Sequence, residues 1–115
     1  GATTGIAVRE ETLSGLSGAS RDSTIVIPNR AIVLGVSVRT VTAVLGASSF
    51  DCGVNGEPSK FGGALGVAVG SSNIGVIGPT AFYADTPVRL TANGGSFAGG
   101  AVRIAIHYLT CAAPD

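Results

Sequence analysis

The chain of 115 residues is short of charge. Charged side chains make up 12% of it, against roughly 25% in an ordinary soluble domain. Seven basic residues balance seven acidic ones, and apart from Arg9-Glu10-Glu11 they stand singly. With no basic stripe to neutralise phosphates, nucleic-acid binding is not expected. No basic amphipathic stretch suits a membrane surface either. Aromatic residues are 5%, and Trp and Met are absent, so a core must be built from Val, Ile, Leu and Ala. The one histidine, His107, has no serine in a G-x-S-x-G elbow to serve. With Cys52 and Cys111 it makes no zinc pattern. The acids Asp22, Asp51, Glu57 and Asp85 show no spacing that would bring two of them to one glycosidic bond. The glycine-rich stretches hold no G-x-x-x-x-G-K-[ST] phosphate loop. No enzymatic activity, no cofactor and no metal site are expected. Asp51, Asn55 and Glu57 do offer hard oxygen ligands for calcium, but without EF-hand spacing, and the segment reads as a turn with Asx-type hydrogen bonds.

Charge is also missing from the whole run Phe61 to Ala84. Its length would suffice to cross a bilayer. Gly62, Gly63, Gly66, Gly70, Gly75, Gly78 and Pro79 interrupt it, so it reads as strands and turns and no membrane insertion is expected. No signal peptide is visible, and an opening Gly in place of Met suggests the later part of a longer protein.

What the chain does have is aliphatic alternation and glycine. Hydrophobic residues are 45%, mean hydropathy is +0.49, and 18 glycines and 5 prolines punctuate the sequence. Period-two patterning recurs and sustained helical periodicity does not. Ile6 and Val8 share a face, as do Ile25 and Ile27. Ala31 to Leu45 is the longest strand signal, with Ile32, Leu34, Val36 and Val38 on one face and a flip after Arg39 to Val41, Ala43 and Leu45. Such a flip marks a bulge or a strand that changes sheets. Ser49 to Val54 is a short strand that turns Cys52 inward, and Asn55 to Gly63 a polar loop. Ala64 to Val69 and Ile74 to Ile77 are apolar runs, and Ala81 to Tyr83 a short edge strand. Pro87 to Ala92 turns Val88 and Leu90 inward, and Ala101 to Leu109 does the same with Val102, Ile104, Ile106 and Tyr108. The expectation is one all-β domain over residues 1–115, a jelly-roll-like β-sandwich of seven to nine antiparallel strands. Both thiols are expected to be free, with Cys111 just past the last strand.

So apolar a surface with so little charge is usually covered, and a homo-oligomer is expected; the competing picture is a monomer whose surface is made of Gly, Ala, Ser and Thr. Sugar recognition needs an exposed aromatic face beside planar polar groups. Phe82, Tyr83 and Asp85 supply these in one loop-rich region, and Asn93, Glu57 and Lys60 lie in other expected loops. These six are the candidate ligand-binding residues, with Phe82 and Tyr83 read first as anchors of their loop to the core and second as ligand contacts.

The strings Ala31-Ile32-Val33-Leu34-Gly35-Val36-Ser37-Val38, Phe61-Gly62-Gly63-Ala64-Leu65-Gly66, Ala81-Phe82-Tyr83-Ala84-Asp85-Thr86-Pro87-Val88 and Leu90-Thr91-Ala92-Asn93-Gly94-Gly95 carry a family resemblance. So does the final Arg103-Ile104-Ala105-Ile106-His107-Tyr108. From Ile6 to Leu109 the chain resembles the C-terminal domain of alphaproteobacterial prophage structural proteins and of gene transfer agent head spikes. The resemblance implies a trimeric spike or fibre tip on a virion-like particle, assembled in the cytoplasm and extracellular after release. It further implies that the tip contacts capsular polysaccharide or another host-surface glycan and is joined to the rest of the spike. A trimerisation or capping domain of a fibre, without a ligand of its own, is the alternative.

Overall fold

A computed structural model describes residues 4–111. Eight strands follow one another without a helix among the described residues: β1 Thr4–Ser14, β2 Ser20–Ile27, β3 Ile32–Leu45, β4 Ser49–Val54, β5 Glu57–Leu65, β6 Ser72–Ala81, β7 Thr86–Asn93 and β8 Gly99–Cys111. They form two four-stranded sheets, β1-β8-β3-β6 and β2-β7-β4-β5, in which every pairing is antiparallel. First pairs with last, second with seventh, third with sixth, fourth with fifth. The chain is therefore one long hairpin wound on itself, which is the jelly-roll arrangement.

The interior is aliphatic, as the composition requires. One sheet contributes Leu13, Val33, Val36, Val38, Val102, Ile104, Ile106 and Tyr108, and the other Ile27, Phe50, Cys52, Phe61, Val88 and Leu90. Fully burying side chains such as Ile104 and Ile106 stabilises the fold by roughly 1.5–3 kcal/mol each. Leu16 and Phe97 close one end, where Phe97 meets Phe50 edge-to-face at 6.5 Å. In β7 and β8 the inward residues are those the alternation predicts. Cys52 is wholly buried, and burial pushes its thiol up to about 12; Cys111 ends β8 and is exposed, and both are free.

Four sequence expectations need correction. In β3 a first bulge lies between Val33 and Gly35, where Leu34 is the extra residue; the register shifts again between Thr40 and Thr42, close to the expected flip, but there Val44 is buried and Leu45 exposed. Val33, Val36, Val38 and Thr40 thus face inward, while Ile32 and Leu34 turn outward and are only half-buried. Asn55 to Gly63 is not a loop: Asn55-Gly56 makes a tight turn with Gly56 at φ 90°, and β5 runs on from Glu57. Such a φ suits the third position of a type II turn, and β5 can hold Pro58 because it is an edge strand. The run Ala64 to Val69 is strand only to Leu65; the rest lies against β3, giving the Val67 carbonyl to Val44 N at 2.9 Å and the Gly66 carbonyl to Thr40 Oγ1 at 2.8 Å. Ala81 ends β6 instead of opening a strand of its own, because Phe82 turns away to exchange backbone hydrogen bonds with Arg30 and Ala31.

The open flank between β1 and β2 is sealed by two inward charges. Arg9 donates to Tyr108 Oη and to the Val26 carbonyl, both at 3.1 Å, with its guanidinium over the Tyr108 ring. Glu11 accepts from Thr24 N, Thr24 Oγ1 and Ile25 N. Inward charges at a sheet edge also keep that edge from pairing with another chain. Burial pushes the Glu11 carboxyl upward, but the bonds from Thr24 and Ile25, with Arg21 nearby, outweigh it and hold the group below its ordinary 4.5. A depressed carboxyl stabilises the fold above the unfolded value and loses that contribution as pH falls through the folded one. Chemical unfolding should therefore show stability declining below about pH 4.5, with a shallower decline in Glu11→Gln.

β6 comes so close to β5 that a Cβ at Gly75 would collide with the Phe61 carbonyl oxygen, whereas one at Gly78 would meet nothing within 4 Å. Gly75→Ala should cost more than about 2 kcal/mol in urea unfolding, and Gly78→Ala should stay within about 0.5 kcal/mol of the parent.

Candidate functional site

The winding of the hairpin decides which loops meet. The β2–β3, β4–β5 and β6–β7 connections lie at one end of the sandwich; the other four lie at the opposite end. Five of the six candidate residues consequently gather at the first end. Lys60 Nζ lies 3.3 Å from Glu57 Oε2 and 5.9 Å from the centre of the Phe82 ring. Asp85 Oδ1 accepts from Asn29 N at 2.9 Å, which ties the β6–β7 turn to the β2–β3 turn. Arg30 N donates to the Phe82 carbonyl at 2.6 Å and Phe82 N to the Ala31 carbonyl at 3.0 Å, locking the same two turns together. Arg30 sits at φ 67°, a left-handed conformation that this clamp holds in place.

Phe82 and Tyr83 divide the two roles that the sequence left open. Phe82 is half-buried and packs against the core, so it anchors its loop. Tyr83 is 80% exposed and presents its ring to solvent from the β6–β7 connection that also carries Asp85.

Asn93 does not belong with the others. β7 runs from Thr86 to Asn93, so about 25 Å of extended strand separates Asn93 from Asp85. At its own end Asn93 Nδ2 donates to Asp51 Oδ1 at 2.8 Å and to Ser49 Oγ at 3.3 Å, which joins β7 to β4. Asp51 also accepts from Ala64 N at 2.9 Å, so its hydrogen-bonding capacity serves the fold. On the same sheet Arg89 donates to both oxygens of Asp22, at 2.6 and 3.1 Å, and holds that carboxyl below its ordinary value.

A second surface escaped the sequence reading. The outer face of β1-β8-β3-β6 carries four rows running across the strands, read directly from the register. Ile6, Leu109, Ile32 and Ala81 form the first row; Val8, His107, Gly35 and Val76 the second. Glu10, Ala105, Ser37 and Ile74 form the third; Thr12, Arg103, Arg39 and Ser72 the fourth. Half the face is thus aliphatic and half polar. Ile6, Val8, Ile74 and Val76 are 78%, 51%, 76% and 76% exposed. Gly35 leaves a hollow of about 230 Å³ between Val76 and His107, and His107 Nε2 is hydrogen-bonded to Ser37 Oγ at 2.7 Å. The clue was in β6, where Asn73 and Gly75 alternate with Ile74 and Val76. Only a small residue fits inside at Gly75 because β5 is so close, and the aliphatic phase is forced outward.

No protein-family model and no curated protein matches the chain. Among solved structures it is similar to a chain of the "Cyanophage Pam1 capsid asymmetric unit", with a TM-score of 0.60 and 20% identity. The match covers 96% of this chain and 86% of that one. The likeness is one of fold, and it extends over nearly the whole of both chains.

If Phe82 anchors and Tyr83 presents, their truncations should separate. Phe82→Ala should lower stability by about 1–3 kcal/mol, and Tyr83→Ala should change it by less than about 0.5 kcal/mol in thermal or urea unfolding.

Proposed function

We propose that the domain is a structural component of a phage-like particle, displayed on its surface as the tip of a head spike or fibre, and that it contacts polysaccharide on the recipient cell. One observation carries the recognition reading. One end of the sandwich carries the exposed Tyr83 ring and Asp85 on a clamped turn, and the Lys60–Glu57 pair reaches the neighbouring Phe82 from β5. An aromatic plate for the C–H face of a sugar, with charged groups for its hydroxyls, is what such recognition asks for. The fold likeness to a chain of a phage capsid assembly supports the particle setting, as does the resemblance to head-spike domains. A shallow site suffices there, because many copies on one particle bind together and gain avidity.

A second reading, assembly with further copies of the same chain, is favoured by the aliphatic half of the outer sheet face. Ile6 and Val8 on β1 and Ile74 and Val76 on β6 stand in water at the two sides of that face, with Leu109, Ile32 and Ala105 between them, and patches of that kind are usually covered. The two readings are compatible, since the face and the loop end are separate surfaces.

Capsular polysaccharide immobilised on a biosensor, with the purified chain passed over it, tests the proposal. Tyr83→Ala should bind about tenfold more weakly, a loss of ~1.4 kcal/mol. Ser17→Ala, in the exposed β1–β2 connection at the opposite end, should bind as the parent does. Equal binding by the two variants would sink the loop-end reading, and sedimentation of the same sample as a monomer would remove self-assembly.

A further inference from the structure

The fourth row of the outer face places two arginines directly opposite each other, Arg39 on β3 and Arg103 on β8. Like charges in that position repel and disfavour the pairing. Both side chains are exposed, and Arg103 Nε donates to Thr12 Oγ1 at 3.2 Å. The described ion pairs are Lys60–Glu57 and Arg89–Asp22, so among the described residues neither guanidinium has a carboxylate at ion-pair distance. The two arginines border an open hollow of about 370 Å³ that also reaches Glu10, Ser37, Ser72 and Ile74. Ligand sites typically measure roughly 300–1,000 Å³.

We infer that this hollow is a binding site for a carboxylate-bearing sugar residue, such as a uronate within an acidic polysaccharide. The ligand class rests on the polysaccharide reading; the site is a different one from the loop end. Guanidinium forks match the planar, two-oxygen geometry of a carboxylate, and an anion between the arginines relieves their repulsion. Glu10 sets the charge balance. Two cations against one anion leave room for a single negative charge, and Glu10 would repel a dianion such as phosphate. Its carboxylate and the Ser72 hydroxyl are hydrogen-bond partners for ring hydroxyls. Ser37, held by His107 at 2.7 Å, adds a third fixed polar group. The exposed flank of Ile74 offers an apolar wall for the C–H face of the sugar ring.

Calorimetric titration with trigalacturonate, its methyl ester and inorganic phosphate reads this out. The acid should bind, with an affinity that falls as salt is raised; the ester and phosphate should bind at least tenfold more weakly. Arg39→Gln and Arg103→Gln should each lose at least tenfold for the acid. Their thermal midpoints should not fall, since each substitution removes a repulsion. Gly78→Ala, at an exposed position outside both sites, should leave this affinity unchanged. Equal binding of acid and ester, tighter binding of phosphate, full affinity in both arginine variants, or no binding of trigalacturonate would each overturn the inference. The two sites can fail separately. Capsule binding that depends on Tyr83 but not on the arginines leaves the loop end standing alone. Trigalacturonate binding without any Tyr83-dependent capsule binding leaves only this face.

Discussion

The register of β8 against β1 and β3 governs nearly everything this domain displays. β8 lies inside its sheet, bonded on both sides, and every second side chain from Val102 to Tyr108 is buried. A slip of one residue would send those four side chains into water and bring Arg103 and His107 into the interior, so the register is firmly set. Once it is set, the outer rows follow: Arg103 must lie beside Arg39, His107 beside Gly35, and Val8 must face the same water as Val76. The outside of the sheet is a consequence of packing on the inside. Its aliphatic and polar halves are held by a hydrophobic interior far stronger than any contact on the face itself.

That logic explains what could be read from sequence. β7 and β8 were legible because each has one face wholly inside and one outside, so apolar and polar residues alternate without a break. The jelly-roll class was legible because short aliphatic runs and turn residues recur along the whole chain. β5 was hidden because an edge strand tolerates Pro58 and polar residues that look like a loop. In β3 the irregularity after Arg39 was legible, but the bulge before Gly35 was not. Leu34 and Val36 share a phase in the sequence, and only the bulge, which no residue type announces, separates them. β6 misled for a steric reason: the interior position goes to Gly75, and the side chains that look like core stand outside.

The candidate site shows the same limit in another form. Composition could name Glu57, Lys60, Phe82, Tyr83, Asp85 and Asn93 as loop residues fit for sugar, but loops are sorted into ends by topology. In a rolled hairpin alternate connections share an end, so residues from 57 to 60 meet those from 82 to 85 while Asn93, much nearer in sequence to Asp85, is sent away. The Arg39–Arg103 pair was illegible for a similar reason. Sixty-four positions separate the two residues, and only the β3–β8 ladder puts them side by side.

The composition returns as a constraint on how such a domain can act. With 12% charged residues it cannot build a deep, strongly charged pocket, and with 5% aromatics it has few plates for sugars. The charges it has are largely spent on structure: Arg9 and Glu11 seal a flank, Asp22 and Arg89 hold each other, Asp51 braces β4, and Asp85 ties two turns. Arg39, Arg103 and Glu10 make no such ion pair among the described residues, and Tyr83 is the large aromatic left in water. A chain built this way gains little from one contact and much from many copies acting at once, because linked weak sites multiply where single ones do not. In the proposed reading, an aliphatic sheet face that gathers copies, beside polar groups open at its border, meets both requirements on one rigid scaffold.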